Sequence, residues 1–234
     1  KRPPSQVGKI AQQFKQASPA TGFGMTETNA LGLRLSGKDY IDHPGAAGLL
    51  IPPVQTLKIV ADDGSDAKTG AVGELALKSA ANMRGYLNKP EQTRDALREG
   101  WMFTGDLAYQ DAEGLVYIVG RKKDMIIRGG ENIACPEVEG ALHQIEGILE
   151  ASVFSIPHER LGEAVGAAVY ASATPSLFEL QAALEQTLAR FKIPEKIWFY
   201  PEPLPRGATE KIDKRGIREA CLGGAVASCG PSDN

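Results

Sequence analysis

The chain has 234 residues, a hydrophobic share of 42%, a charged share of 24% and a formal net charge of −3. It is long enough for one large or two small domains with real cores, and its balance is that of an ordinary globular protein. The charge excludes a basic footprint for nucleic acid or for an anionic membrane surface, and no apolar run reaches membrane-spanning length.

In chain order, residues 1–19 read as helical in the middle, with Val7, Ile10, Ala11 and Phe14 on one face and Pro19 as the stop. Gly22-Phe23-Gly24-Met25-Thr26-Glu27 reads as a strand end running into a loop. Its glycines let the backbone approach a flat ligand, and Phe23 offers a face for a planar ring. The Thr26 hydroxyl can donate to a phosphate oxygen, and Glu27 can hold a hard cation through a carboxylate oxygen. Spacing alone favours a glycine turn with a solvated Glu, because short glycine patterns are common.

From Tyr40 to Tyr117 the pattern is short strands and turns. Thr56 to Val60 precedes the turn signal Asp62-Asp63-Gly64, and Gly73 to Leu77 is a second strand. Lys89-Pro90-Glu91 starts a helix that should stop near Gly100. Gly85-Tyr86 and Trp101 read as core or as ligand-facing, with core favoured. Phe103-Thr104-Gly105-Asp106 ends on a carboxylate able to accept from two vicinal hydroxyls, or simply to cap a turn. Leu115 to Val119 reads as a strand, so Asp106 and Arg121 fall on either side of one hairpin.

Between Gly120 and Glu139 lies a charged joint (Arg121, Lys122, Lys123, Asp124), a short apolar strand (Met125 to Ile127), the pair Gly129-Gly130, and polar Glu131 and Asn132. Pro136 opens a helix with Val138, Leu142 and Ile145 at helical spacing. This reads as a domain seam. Beyond it, Ala151 to Ile156, Ala164 to Tyr170 and Ile197 to Tyr200 are strands. Ser176 and Glu179 form a capping box ahead of a stripe of Leu177, Leu180, Leu184 and Leu188. A proline-rich loop leads to Lys211, Ile212 to Ala220 reads as a last helix, and 223–234 as a flexible tail. Cys135, Cys221 and Cys229 read as reduced thiols without metal-ligand spacing, and no signal peptide is visible, so a cytoplasmic location is expected. His43, His143 and His158 stand alone, and no zinc site is expected.

The Gly120–Glu139 stretch resembles a signature of the adenylate-forming, AMP-binding enzymes: acyl-CoA synthetases, luciferases and peptide-synthetase adenylation domains. The segments Gly22 to Glu27, Phe103 to Asp106 and Pro205-Arg206-Gly207-Ala208-Thr209-Glu210-Lys211 match it in the same order. Within the family, the runs MIIRGGENI and GMTETN resemble bacterial-type medium- or long-chain fatty-acid–CoA ligases, with aryl-CoA ligases and peptide-synthetase adenylation domains as alternatives. The resemblance implies an α/β remnant with a distorted β-barrel subdomain over 1–122, then a small mobile α+β domain over 123–222.

It further implies that Gly22, Phe23, Gly24, Thr26, Asp106, Arg121, Asn132 and Lys211 contact ATP or AMP. Asp106 would hold the ribose with help from Arg121, Glu27 a Mg2+ ion, Gly129 and Gly130 the coenzyme A arm, and Lys123 would be the hinge. Lys211 would bridge the acyl carboxylate and the α-phosphate, with Thr26 and Glu27 completing the catalytic set. The segment departs from the family pattern in having Glu210 where a glycine is usual before this lysine. A Gly/Ser/Thr-rich phosphate loop, present upstream in family members, is not found here. The chain is therefore expected to be a fragment that does not adenylate alone, with a silent nucleotide- or CoA-binding module as the alternative. Expected partners are a carboxylic acid, first a fatty acid, with ATP and CoA, and no nucleic acid.

Overall fold

A computed structural model describes residues 4–14, 16, 18–172, 175–226 and 228–229. It divides into two compact units, Lys1–Lys122 and Lys123–Asn234. Among the described residues no helix is long and apolar enough to cross a membrane.

The first unit opens with α1 (Pro4–Gln13). Val7 is buried, but Phe14 is 59% exposed, so the expected apolar face does not reach it. The helix also stops well before Pro19. Then come β1 (Ala20–Gly24), β2 (Gly32–Ser36), α2 (Gly37–Asp42) and β3 (Leu49–Leu50), whose strands form an antiparallel sheet in the order β1-β2-β3. A methyl group at Gly32 would lie 2.1 Å from the Phe23 carbonyl oxygen, so this close strand approach requires glycine.

The rest of the unit is β4 (Gln55–Val60), β5 (Gly73–Ser79), α3 (Pro90–Ala96), β6 (Leu97–Arg98), β7 (Trp101–Gln110) and β8 (Val116–Arg121). These strands make one sheet, β4-β5-β7-β6, with β8 also on β7. The expected helix near Gly100 ends at Ala96, because residues 97–98 turn back to pair with Trp101 and Met102. Leu33 and Ala47 share a core with Ile59, Leu75, Leu77, Ala108 and Val116, which joins the two sheets into a curled half-barrel. Trp101 is not in that core. Its ring is half-exposed, with the Lys58 and Lys78 ammonium groups 4.8 Å and 5.7 Å from its centroid.

In the second unit β9 (Ile126–Arg128), β10 (Glu131–Ile133), α4 (Cys135–Leu142), β11 (Ile148–His158), β12 (Gly162–Ala171), α5 (Leu177–Leu184), β13 (Lys196–Tyr200), α6 (Lys214–Leu222) and β14 (Ser228–Cys229) follow in order. The sheet runs β10-β9-β12-β13-β14, with β11 on β12. Strands β12 and β13 are parallel, with α5 between them as the crossover. Val138, Leu142, Leu180, Leu184 and Ile197 share one core cluster, whereas Phe154, Trp198, Leu204 and Ile217 share another. Both are fed by β11 and β12, whose alternating side chains supply the two faces of the sheet.

The Ser176–Glu179 capping box forms, and Leu180, Leu184 and Leu188 are buried below it. Within the expected flexible tail, Ser228 and Cys229 pair with Trp198 and Ile197, while residues 227 and 230–234 lie outside the described residues.

Candidate active site

At the end of β1 the chain makes a single 3-10 turn over Thr26–Thr28. Thr28 is fully buried, and its hydroxyl donates to the Leu31 carbonyl at 2.5 Å. Asn29 and Ala30 return the chain through left-handed backbone, with φ of 53° and 60°. Thr28 thus locks the turn from inside and leaves Thr26 exposed and Glu27 half-buried. Gly22 and Gly24 are exposed on β1, whereas Phe23 between them is half-buried and packs against the core of the unit.

Glu27 is tied down twice. Its carbonyl accepts from the Met83 amide at 2.7 Å, and its Oε1 accepts from the Tyr86 hydroxyl at 2.8 Å. Burial, and then the neighbouring Glu27 carboxylate, push the Tyr86 phenol up to about 12, so it stays a donor. Of the two readings for Tyr86, the favoured core position does not hold: the ring is half-buried and lines an open cavity of about 440 Å³ with Glu74, Lys89, Asp95, Thr104 and Gly105. Glu74 accepts from the Gly105 amide through Oε1 at 3.2 Å, and its Oε2 pairs with Lys122 at 3.1 Å. Glu74 is a cavity residue that the sequence reading does not single out. The available signal was a carboxylate at the head of an apolar strand.

One residue beyond the cavity wall, Asp106 on β7 sits directly opposite Arg121 on β8. Its Oδ1 meets Arg121 Nε at 2.9 Å, with the carboxylate 8% and the guanidinium 50% exposed. The Asp106 amide donates to the Thr104 hydroxyl at 3.1 Å, and that hydroxyl donates to the Leu75 carbonyl. The Thr-Gly-Asp segment is therefore a fixed part of the sheet. A buried acceptor beside a half-exposed fork of donors suits a polyhydroxylated, anionic ligand.

In the second unit Gly129 and Gly130 form the two-residue turn between β9 and β10, with Arg128 opposite Glu131. Both glycines have positive φ, 59° and 92°, as a hairpin turn of this length demands. The Gly129 amide donates to the Leu161 carbonyl at 2.9 Å, and the Ile127 amide donates to Glu163 at 2.8 Å. Asn132 is exposed on β10, Lys123 is exposed at the first position of the unit, and Lys211 is exposed on a separate turn before α6.

For a magnesium ion, no cluster of three His, Cys, Asp or Glu exists among the described residues. Mg2+ held largely by nucleotide phosphates and water needs only one or two carboxylates, and Glu27 leaves Oε2 for that purpose while Oε1 serves Tyr86.

The family described as AMP-binding enzyme matches residues 2–87, and the AMP-binding enzyme C-terminal domain matches residues 137–211. The chain is 38% identical over 199 residues to indoleacetate–CoA ligase of Aromatoleum aromaticum, covering 84% of this chain and 39% of that protein. It is 37% identical over 219 residues to a long-chain-fatty-acid–CoA ligase of Bacillus subtilis, covering 90% and 38%. Among solved structures, o-succinylbenzoate CoA synthetase from Bacillus subtilis, in complex with its acyl-adenylate intermediate, superposes with a TM-score of 0.85 at 30% identity, over 92% of this chain and 44% of that one. ATP-bound MatB from Rhodopseudomonas palustris gives 0.77 at 32% identity, over 86% and 40%. The chain thus spans about two fifths of the length of the curated relatives it matches. With both matched regions together covering most of its length, and the fold shared, the chain belongs to the adenylate-forming family of AMP-binding enzymes.

Proposed function

We propose that this chain works within an AMP-forming acid–CoA ligase. The observation that carries the reading is the run of CoA ligases among its relatives, matched over more than four fifths of this chain. The acid is first a fatty acid. An arylalkanoic acid is the second reading, favoured by the indoleacetate relative at 38% identity beside the fatty-acid relative at 37%. The acid carboxylate attacks the α-phosphate of ATP and releases diphosphate; the CoA thiol then attacks the acyl carbonyl and releases AMP. Both halves require charge neutralisation and positioning rather than a covalent protein intermediate.

Asp106 accepts from the ribose hydroxyls, with Arg121 orienting it and offering its exposed edge to phosphate. Thr26 donates to the α-phosphate from the turn locked by Thr28, Gly22 to Gly24 flank the adenine, and Asn132 contacts the nucleotide. Glu27, oriented by Tyr86, would hold a Mg2+ ion, which would supply neutralisation of phosphate charge. Lys211 brings one ammonium to the acyl carboxylate and α-phosphate. Gly129 and Gly130 give the pantetheine arm a side-chain-free passage, and Lys123 is the pivot between the half-reactions. The compartment is the cytoplasm, in keeping with Cys135 and Cys221 as buried free thiols.

The test uses the complete polypeptide carrying this chain, with fatty and arylalkanoic acids, ATP and CoA. Lys211→Ala should slow acyl-adenylate formation on the order of 100- to 1,000-fold, the effect of losing one oriented charge-stabilising donor. Thioester formation from supplied acyl-adenylate should fall less than about threefold, since on this reading the small domain turns about Lys123 and takes Lys211 away from the nucleotide before that step. Equal losses in both steps would remove Lys211 from the role.

A further inference from the structure

We propose that Arg206 and Glu150 are positioning residues for Lys211, fastening the turn that carries it to the sheet of the second unit. The proposal rests on the reading of Lys211 as the adenylation cation.

The turn is a miniature hairpin. Arg206 and Ile212 pair as an isolated bridge, the Gly207 amide donates to the Lys211 carbonyl at 2.9 Å, and the Glu210 amide donates to the Gly207 carbonyl at 3.0 Å. Below the bridge the Asp213 amide donates to the Pro205 carbonyl at 2.8 Å. Arg206 spans this hairpin. One arm of its guanidinium, Nη1, donates to the Glu210 carbonyl at 2.9 Å. The other, Nη2, pairs with Glu150 Oε1 on β11. Glu150 Oε2 in turn accepts from the amide of Leu204, a core residue only 1% exposed, at 2.7 Å.

The Glu210 carbonyl belongs to the peptide group that joins Glu210 to Lys211. Holding that plane, while the Gly207 amide holds the Lys211 carbonyl on the other side of its Cα, restrains the direction in which the lysine side chain leaves the backbone. A planar fork with fixed donor directions can serve a carbonyl and a carboxylate at once. Three residues beyond Lys211 a second tether repeats the arrangement. Lys214 Nζ pairs at 2.8 Å with Glu139 Oε1, which also accepts from the Val153 amide of β11 at 2.9 Å. The loop is thus tied directly to β11 before the lysine, and after it to α4 through Glu139, which itself bonds to β11.

Partly exposed ion pairs add little to stability, so the arrangement is better explained by geometry than by folding. A long side chain contributes to a transition state only if its backbone is already in place.

The experiment has two arms. On the 234-residue chain, site-resolved trypsin cleavage after Lys211 is compared for wild type, Glu150→Ala, Arg206→Ala and Arg206→Lys. Loss of the tether should raise cleavage after Lys211 roughly tenfold through local opening, with cleavage after Arg160 unchanged. Arg206→Lys, which keeps a donating cation, should recover part of the protection. Unchanged cleavage after Lys211, or an equal rise at Arg160, overturns the proposal.

In the complete polypeptide, Glu150→Ala should slow adenylation on the order of 10- to 100-fold, the range for a reacting group displaced by about 1 Å. Thioester formation from supplied acyl-adenylate should stay within about twofold, because it does not use Lys211. Loss of adenylation in Lys211→Ala but not in Glu150→Ala overturns the tether. No loss in Lys211→Ala overturns the role of Lys211 instead, and the cleavage arm then judges the tether by itself.

Discussion

In the first unit Asp106 and Arg121 face each other across a strand ladder, and register alone brings carboxylate and guanidinium to 2.9 Å. In the second unit Lys211 and the Gly129–Gly130 pair sit on turns, and each turn is fastened by side chains from elsewhere in the unit: Glu163 beside the glycine turn, Glu150 beside the lysine turn. A ladder fixes a residue through neighbours that bond to each other anyway. A turn has fewer such neighbours beyond its own two arms, so side-chain acceptors from other elements add to the backbone bonds that place it. The first arrangement suits contacts kept throughout a reaction, and the second suits a contact made in one step only.

Three substitutions sharpen this contrast. Asp106→Ala should cost roughly 2 kcal/mol in the stability of the first unit, the scale for losing a hydrogen bond to a charged group, while Arg121 can still turn to water. Chemical denaturation would show it as a lower midpoint. A cost near zero would mean that register, not the pair, holds the site. Glu210→Gly acts in the opposite direction. Glu210 has a φ of +60°, which disfavours a side chain. Glycine there should add about 0.5–1 kcal/mol, seen as a melting temperature higher by a few degrees. A lower melting temperature would show that the Glu210 side chain contributes more than the strain it carries.

The smallest effect concerns pH. The Tyr86 phenol is raised to about 12 in the folded chain against an ordinary 10.0. The unfolded chain therefore releases this proton first, and stability that is intact below pH 10 is lost as pH rises toward 12. Tyr86→Phe should flatten that part of the stability–pH curve measured by denaturant unfolding. An unchanged slope would show that Glu27 does not hold Tyr86 in solution.

Local chemistry was legible wherever it was self-contained. Gly129-Gly130 announced a turn, Ser176 and Glu179 a helix start, and the leucine stripe a core face. Asp106 and Arg121 could be placed on one hairpin because a turn signal lies between them. The rest depended on contacts between distant segments. The ten-residue β7 shows in the sequence only as Trp101 and the Phe-Thr-Gly-Asp motif, since Met102, Phe103, Leu107 and Ala108 take their backbone register from β5, a distant segment of the chain. Trp101 looked like core because periodicity cannot reveal that two lysines from neighbouring strands cover its ring. Tyr86 and Glu74 gave no local sign that they meet at one cavity, and Arg206 gave none that its partner lies 56 residues away.

The aromatic residues carry one more consequence. The sequence has two tryptophans, and each unit holds one of them: Trp101 under two ammonium groups on the first, Trp198 at 3% exposure against Phe154 in the second. Their surroundings differ enough that emission from the wetter indole and from the dry one separates by wavelength and by access to iodide. The chain therefore carries an intrinsic optical probe in each half, and events in one can be followed apart from the other without adding a dye.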